Sequence, residues 1–182
     1  MVPTLQTPRL RLRPIGVADL DRWAQVCADP DVVRYLGGAA FSREDTWRRL
    51  LATAGSWAML GYGYWGVEPR EGGPMIGHAG FSDFKRGMTP SIEGIPEMGW
   101  VFSRDSHGRG YASEAVAAAL GWADRQLEGR EIAAIVSHDN IASVRVAEKA
   151  GFSSREEAVY KDEPILLFRR PARNGTGGPA SC

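Results

Sequence analysis

The sequence predicts an α+β fold, in which one mixed and mostly antiparallel sheet contains a central parallel strand–helix–strand unit and carries helices on both faces. Two observations support this fold class. Three short strand patterns lie close together between residues 62 and 103, and short links of this kind favour antiparallel neighbours. A strand, a long helix and a second strand then follow between residues 97 and 137, and such a crossover makes its two strands parallel.

The N-terminal third of the chain predicts one strand and two helices. Residues 9–13 (RLRLR) alternate apolar and charged side chains with the period of a strand. From 17 to 28 the apolar residues recur at helical spacing, and the segment DPD at 29–31 ends that helix. Ser42 begins a sequence like a capping box, which predicts a second helix as far as residue 59.

Three strands follow, and turn-forming residues separate them. An EGGP segment lies between the first two strands, and a polar stretch with several glycines and prolines lies between the last two. Such short strands with short connections predict an antiparallel meander. The strand candidates are residues 62–68, 75–84 and 97–103.

The C-terminal half predicts two helices and three strands. The helix at 110–127 carries one apolar stripe of alanine, valine and leucine. The helix at 140–152 stops at Gly151, because glycine readily adopts the left-handed conformation that ends helices. The strands are predicted at residues 131–137, 153–160 and 164–169.

The composition is that of an ordinary soluble globular protein. The chain has 182 residues, of which 43% are hydrophobic and 24% are charged. We expect residues 1–170 to form a single domain. The last segment, 171–182, is rich in proline and glycine and has no apolar period, so we expect a disordered tail there.

Charge and cysteine content exclude several classes of protein. Lysine plus arginine and aspartate plus glutamate number 22 each, and this zero balance argues against a nucleic-acid or membrane-surface partner. Cys27 lies on a helical apolar stripe and Cys182 ends the chain, so we expect no structural disulfide, and no metal-ligand spacing is present. Because residues 1–14 contain no apolar signal segment, we expect a cytoplasmic protein.

One short segment, HGRGYASEA at 107–115, carries a chemical signal. It follows a strand and opens a helix, where free backbone N–H groups and the helix dipole favour an anion such as a phosphate. Gly108 and Gly110 leave the backbone bare, and Arg109 adds a cation. A dinucleotide fold would need a third glycine where Ser113 stands, and a Walker loop is absent. A purely structural glycine turn is the remaining alternative.

The surroundings of this loop resemble the GNAT superfamily of acyl-CoA-dependent N-acyltransferases. The resemblance rests on EMGWVFSRDSHGRGYASEAVAAAL and, after the next strand, on SHDNIASVRVAEKAGF. TPRLRLRP near the start and IGHAGF further resemble the ribosomal-protein N-terminal acetyltransferase-like branch. The likeness extends from about residue 5 to 170. It implies an acetyl-CoA-dependent N-acetyltransferase that transfers the acetyl group to a primary amine in a ternary complex.

The resemblance also implies where acetyl-CoA binds. In such proteins the strand before the loop and the strand after the helix splay apart, and the pantetheine arm pairs with the first strand, here at Val101 and Phe102. Backbone groups of residues 108–113 then hold the pyrophosphate. Asp105 departs from the basic residue of the family motif. The expected cofactor-binding residues are Val101, Phe102, Arg104, His107, Gly108, Arg109, Gly110, Tyr111, Ala112, Ser113, Asn140 and Ser143.

Three residues are candidates for the chemistry that the family performs. Glu97 is the candidate general base, with a structurally paired carboxylate as the alternative. Ser143 resembles the proton donor to the leaving thiolate, although a local helix-cap bond would also explain it, and Tyr160 is the rival donor. A backbone N–H near Val101 is the expected oxyanion donor.

The sequence does not identify the acceptor. A protein N-terminus, an amino acid, a polyamine or an amine drug all fit a primary amine, and a homodimer is compatible with the chain. A catalytically inactive acyl-CoA-binding sensor of the same fold is the alternative function. The expected acceptor-binding residues are Tyr35, Phe41, Trp65, His78 and Phe84.

Overall fold

One sheet organises residues 1–172, which are the part of the chain that this computed structural model describes. Most of the predicted tail at 171–182 lies outside the described residues. The helices are α1 (Leu20–Ala28), α2 (Pro30–Val33), α3 (Arg43–Leu60), α4 (Tyr111–Gln126) and α5 (Ile141–Lys149). The strands are β1 (Leu5–Gln6), β2 (Leu10–Arg13), β3 (Tyr64–Pro69), β4 (Gly77–Ser82), β5 (Met88–Thr89), β6 (Glu97–Phe102), β7 (Ile132–Val136), β8 (Ser154–Tyr160) and β9 (Glu163–Arg170).

The strands of this sheet lie in the order β1-β2-β3-β4-β6-β7-β9-β8-β5. Every neighbouring pair in this order is antiparallel except β6 and β7, which run parallel and are joined through α4. The predicted α+β fold with a mixed, mostly antiparallel sheet is therefore confirmed, including the parallel unit at its centre.

The parallel pair holds together only at its beginning. β6 and β7 share the single register pair Glu97↔Ala133, next to a hydrogen bond of 3.1 Å from the Ala133 N–H to the Pro96 carbonyl. On its other side β6 stays paired with β4 along its whole length. Beyond Glu97 the two parallel strands diverge, so a cleft opens between them toward their carboxyl ends, as the resemblance implied.

Apolar clusters cover the two faces of the sheet unequally. The main cluster fills one face, where α4 and α5 pack on the central strands. The opposite face carries two separate clusters. One joins α1, α2 and α3 to the N-terminal half of the sheet, and we call it the helix-side cluster. The other lies under the segment 88–95 beside β7, β8 and β9, and we call it the loop-side cluster.

The helix boundaries follow their local signals. The Ser42 hydroxyl accepts the Asp45 N–H at 3.0 Å and begins α3 as predicted, and Gly151 after α5 has a φ of 85°. The structure differs at 29–31, where the sequence predicted only a break. Asp29 caps a further short helix, α2, with Pro30 as its first residue, a position that suits proline because its missing N–H would have no partner there.

Other sequence expectations concern membranes, metals and the thiols. None of the helices within residues 1–172 is both long and apolar enough to cross a membrane. In the same described residues, no three or more histidine, cysteine, aspartate or glutamate side chains gather as a metal site would require. Cys27 is a buried free thiol whose pKa burial raises to about 11, so it stays protonated at neutral pH.

Candidate active site

The glycine loop before α4 has the geometry of an anion cradle. Gly108 and Gly110 have φ values of 72° and 76°, in the left-handed region that glycine adopts without strain. Gly110 is also the N-cap of α4, and among the described residues no side chain caps this helix. Since the Glu114 N–H is already bonded to the Gly110 carbonyl at 3.1 Å, the free N–H groups at this end are those of residues 111–113.

The N-terminal segment supports this loop from the side. The Arg9 guanidinium donates to the Arg109 carbonyl at 2.8 Å and to the Glu114 carboxylate at 2.6 Å, and it stacks on the Tyr111 ring. Glu114 also accepts the Thr7 hydroxyl at 2.6 Å. These bonds hold the start of the chain to the loop across about one hundred residues of sequence. They fix the loop in its left-handed conformation without using its free N–H groups.

The remaining loop residues have partners of their own. Arg104 pairs with the Asp31 carboxylate at 2.6 Å, and Asp105 faces Arg22 at 3.5 Å. His107 holds the Phe102 carbonyl through its Nε2 at 3.0 Å, and a carbonyl only accepts, so Nε2 carries the proton. Arg109 lies over Tyr111 and has no carboxylate partner among the described residues, which makes it the cation that a phosphate can reach most readily.

The edge of β6 that faces the cleft is defined by the hydrogen-bond alternation of an antiparallel pair. The Ser103 N–H donates to the Ile76 carbonyl at 2.8 Å, and Val101 lies opposite His78 two residues further along the register. The backbone groups of Val101 therefore point to β4, whereas those of Trp100 and Phe102 point into the cleft. The backbone N–H that faces the cleft near Val101 is therefore that of Trp100, which stays a candidate oxyanion donor. Pairing of the pantetheine arm with Val101 itself is a correction, because the Val101 backbone faces β4.

The Trp100 side chain joins the two sides of the cleft. Its indole Nε1–H donates to the Ser143 hydroxyl on α5 at 3.3 Å. The Asn140 side chain accepts the Ser143 N–H at 3.1 Å and so caps α5, which is the local helix-cap bond given above as the structural alternative for Ser143. Because the Ser143 oxygen accepts the bond from Trp100, its own O–H proton is free to be donated toward the cleft.

The face of the sheet opposite the main cluster carries His78 and Phe84, two of the expected acceptor residues, and we call it the acceptor side. The rings of Tyr64 and His78 lie there between the helix-side and loop-side clusters. His78 on β4 lies between the rings of Trp23 and Tyr64, at centroid distances of 4.5 and 4.8 Å. A Cβ on Gly99 would collide with the Tyr64 hydroxyl, so that hydroxyl lies directly against the β6 backbone. Burial and the nearby Arg49 charge lower the pKa of His78 to about 3, so its imidazole is neutral at physiological pH.

Glu97 lies at the start of the cleft in a tight ion pair. The carboxylate is 4% exposed, and Arg86 binds both of its oxygens, at 2.6 and 2.8 Å. The Arg86 guanidinium also stacks on Phe84 and on Tyr160, at 4.6 and 4.7 Å. Burial raises the pKa of Glu97 and Arg86 opposes this rise. With both oxygens occupied, the geometry favours the structurally paired carboxylate, which was the alternative to a general base.

The structure thus separates the three catalytic candidates into two groups. Glu97 and Tyr160 meet through Arg86 on the acceptor side of the sheet. Ser143 belongs to the opposite side, where Trp100 and α5 pack with the main cluster. Of the two rival proton donors, Ser143 is therefore the one bonded to a side chain of the cleft strand.

The expected acceptor residues fall into three environments. His78 and Phe84 lie on the acceptor side, and Phe84 is 48% exposed. Tyr35 donates its hydroxyl to the Asp139 carbonyl at 3.2 Å and so links the segment after α2 to the turn before α5. Phe41 packs against the helix-side cluster under the Arg49 guanidinium. Trp65 is a correction, because it is fully buried in the main cluster and cannot contact a substrate.

A surface pocket of about 500 Å³ borders the cofactor end of the cleft. It lies between α1, α2 and the turn that leads into the glycine loop. Arginine and aspartate side chains share its walls, so its charge is mixed. Its lining residues are Arg22, Gln25, Val26, Asp29, Val32, Ser103, Arg104 and Asp105.

Sequence reasoning missed several residues of this site. Tyr64 stands beside Trp65 in an aromatic strand, and strict alternation already implies that the two face opposite sides of the sheet. Trp100 carried a signal of the same kind, because it lies in the strand that borders the expected cleft. No sequence signal pointed to Arg9 or Arg86, because their partners lie on other elements and arginine is common on surfaces.

Comparison with known proteins places this geometry among acetyltransferases. YkkB of Bacillus subtilis (strain 168) is 30% identical over 177 residues, which span 93% of this chain and 96% of YkkB. An acetyltransferase structure from Agrobacterium tumefaciens str. C58 is 30% identical, with a TM-score of 0.77 over 93% of this chain and 94% of that one. RimL, a ribosomal L7/L12 alpha-N-protein acetyltransferase in complex with coenzyme A, has the same fold at 15% identity, with a TM-score of 0.70 over 93% of this chain and 98% of RimL.

The profile of the acetyltransferase (GNAT) domain family matches residues 9–153, which is most of the chain. That range includes the glycine loop, the cleft strand β6 and all of α5. The family that the sequence resembled is therefore confirmed, and with it the expectation of an acetyltransferase. The chain belongs to the GNAT acetyltransferase family.

Proposed function

We propose that the protein transfers the acetyl group of acetyl-CoA to a primary amine by direct attack, with both substrates bound at once. The observation that carries this proposal is the cleft between β6 and β7, which has free backbone groups along one edge and an uncapped helix at its end. Acetyl-CoA supplies an activated thioester. The coenzyme A bound to RimL, which shares this fold, supports the choice of cosubstrate.

The residues of the glycine loop fit the diphosphate of this cosubstrate. A Cβ on Gly108 would meet nothing within 4 Å, so the loop is open to a ligand on that side. The free N–H groups of residues 111–113 and the positive end of the α4 dipole favour a dianion there. Arg109 adds a charge that no described carboxylate neutralises. The Trp100 carbonyl and the Phe102 N–H, which also face the cleft, are then offered to the pantetheine arm, as a neighbouring strand would offer them.

Two groups of the cleft serve the chemical step. The Trp100 N–H donates to the thioester oxygen as negative charge develops on it, and preorganised donors of this kind lower such barriers by about 3 kcal/mol. The Ser143 O–H gives a proton to the departing sulfur, while the Trp100 indole keeps its oxygen in place. The proton that the attacking nitrogen loses on forming the amide returns to the Ser143 oxygen, so the hydroxyl is restored. The amine must arrive neutral, because only its free lone pair can attack the carbonyl.

Amine-dependent release of free thiol from acetyl-CoA tests this function. The panel contains a dipeptide, an amino acid, a polyamine and an arylalkyl monoamine, and acetyl-CoA binding is measured separately by calorimetry. We expect binding, and a rate above background with at least one amine. Binding without any transfer would favour the acyl-CoA sensor instead, and absence of binding would contradict both functions.

A further inference from the structure

Two polar side chains on the acceptor side have no hydrogen-bond partner within the described residues, and their polar atoms still reach the surface. Tyr64 is 8% exposed, yet its hydroxyl makes no hydrogen bond to any residue within 1–172. The His78 ring, partly buried between two other rings, likewise makes none in that part of the chain. Because these polar atoms are neither paired nor sealed in the core, they are available to hydrogen-bond a ligand.

The backbone around these groups is built to admit the Tyr64 ring. Gly80 and Gly99 are register partners on β4 and β6, and they present no side chain to this face. A Cβ on Gly80 would strike the backbone at Tyr64, and one on Gly99 would strike its hydroxyl. Tyr64 therefore lies against two glycines without side chains, next to Trp100 on the strand that borders the cleft.

The position of this pair relative to the apolar clusters leaves it accessible. The helix-side cluster ends at Trp23 and Val101, and the loop-side cluster begins at Met88 and Ile95. The exposed Phe84 stands at the rim between them, 6.4 Å from the Tyr64 ring centroid.

The charges of this face do not suit a polycation. Two carboxylates face the same side between β2 and β6, namely Glu68 and Glu97. Arg11 and Arg13 bind Glu68 at 2.6 Å each, and Arg86 binds both oxygens of Glu97. No carboxylate on this stretch of the described sheet is left for a second ammonium group.

We propose that Tyr64 and His78 form the acceptor-amine subsite, and that it takes a monoamine on an uncharged apolar or aromatic remainder. This inference rests on the proposed function. The Tyr64 oxygen accepts one N–H of the neutral amine, and the neutral His78 imidazole offers a second acceptor, which leaves the amine lone pair free to attack. The exposed ring of Phe84 contacts the remainder.

Steady-state kinetics of Tyr64→Phe test the subsite, with 2-phenylethylamine and spermidine as acceptors. The variant keeps the ring and removes only the hydroxyl, whose loss as a hydrogen-bond partner corresponds to roughly a fivefold effect. We expect the wild-type protein to prefer 2-phenylethylamine at least tenfold in kcat/KM. We expect Tyr64→Phe to raise the amine KM about fivefold and to leave the acetyl-CoA KM unchanged.

Tyr62→Phe is the matched control, because Tyr62 is equally buried but packs in the main cluster on the other side of the sheet. It should change neither KM. A preference for spermidine, or an unchanged amine KM in Tyr64→Phe, would overturn the subsite while transfer itself continues. Loss of transfer with every amine would instead refute the proposed function. In that case calorimetry of 2-phenylethylamine on the CoA-saturated protein decides, since the subsite requires binding that Tyr64→Phe weakens.

Discussion

The two ends of the cleft are built in different ways. The cofactor end uses main-chain groups from one continuous stretch, 104–113, and its free donors are backbone N–H groups at a helix start. The acceptor end uses side chains from β3, β4, β6 and the loop after β4, brought together by the sheet. A site made of backbone groups from one continuous segment can be recognised from the sequence, whereas a site assembled from side chains that are distant in sequence cannot.

The two ends also differ in whether their charged side chains have partners of opposite charge. At the cofactor end Arg109 has no carboxylate partner among the described residues, which suits an anionic ligand. At the acceptor end Glu97 and Glu68 are neutralised by arginine. We expect substitutions at the first end to change acetyl-CoA affinity, and substitutions at the second end to change stability or amine recognition.

The largest expected effect is on stability at the acceptor end, in Arg86→Met. This change leaves the buried Glu97 carboxylate without its partner, and breaking such a pair costs about 3–5 kcal/mol. Urea unfolding measures the loss. Arg48→Met is the control, because its partner Glu44 is exposed and the pair contributes less than about 1 kcal/mol. A loss below about 1 kcal/mol in Arg86→Met would show that the pair does not organise this end.

The next effect is on binding at the cofactor end, in Gly108→Val. A valine at a φ of 72° strains the loop and places methyl groups on its open side, so acetyl-CoA affinity should fall at least tenfold, which is about 1.4 kcal/mol. Gly129→Val is the matched control, since Gly129 has a φ of 74° and equally open surroundings at the far end of α4. Equal affinities in the two variants, measured by calorimetry, would contradict the cradle.

The smallest effect is a pH dependence of stability from His78. Its folded pKa of about 3 lies below the value of 6.5 that an unfolded chain gives, so below pH 6.5 the unfolded state binds a proton that the folded state does not. His78 therefore leaves the free energy of unfolding unchanged above pH 6.5. As the pH falls below 6.5, the free energy of unfolding decreases, by about 1 kcal/mol at pH 5.5. Urea unfolding of the wild type and of His78→Gln at pH 7.5 and 5.5 measures this contribution, and the wild type should lose more stability at pH 5.5 than the variant. Parallel losses in both proteins would place the acid sensitivity elsewhere.

The aromatic strand β3 shows a property that the sequence could not predict, namely which face of the strand packs in the core. Alternation shows that Tyr64 and Trp65 face opposite sides, but it does not show which side packs under α4. Trp65 was expected to bind the acceptor, and it lies in the core, whereas Tyr64 faces the acceptor side. The backbone of β6 gave the same ambiguity, because the register with β4 decides whether Val101 or Trp100 faces the cleft.

Helix ends and the glycine loop were predicted more completely than the faces of the strands. The Ser42 cap of α3, the glycine loop before α4 and the end of α5 at Gly151 depend on a few neighbouring residues, and each lies where the sequence predicted it. The Arg9 contacts to Arg109 and Glu114 depend on how β2 packs beside α4, so no local pattern could reveal them. The same reason hid the pairing of Arg86 with Glu97.

A crystal structure with coenzyme A bound tests the central claim most directly. We predict the diphosphate within about 3 Å of the backbone N–H groups of residues 111–113, with the pantetheine arm paired to Trp100 and the thiol end near Ser143. The thiol end should then lie close enough to the Tyr64 hydroxyl for an amine bound there to reach the thioester. A diphosphate bound elsewhere, with the loop at 108–113 empty, would contradict the account.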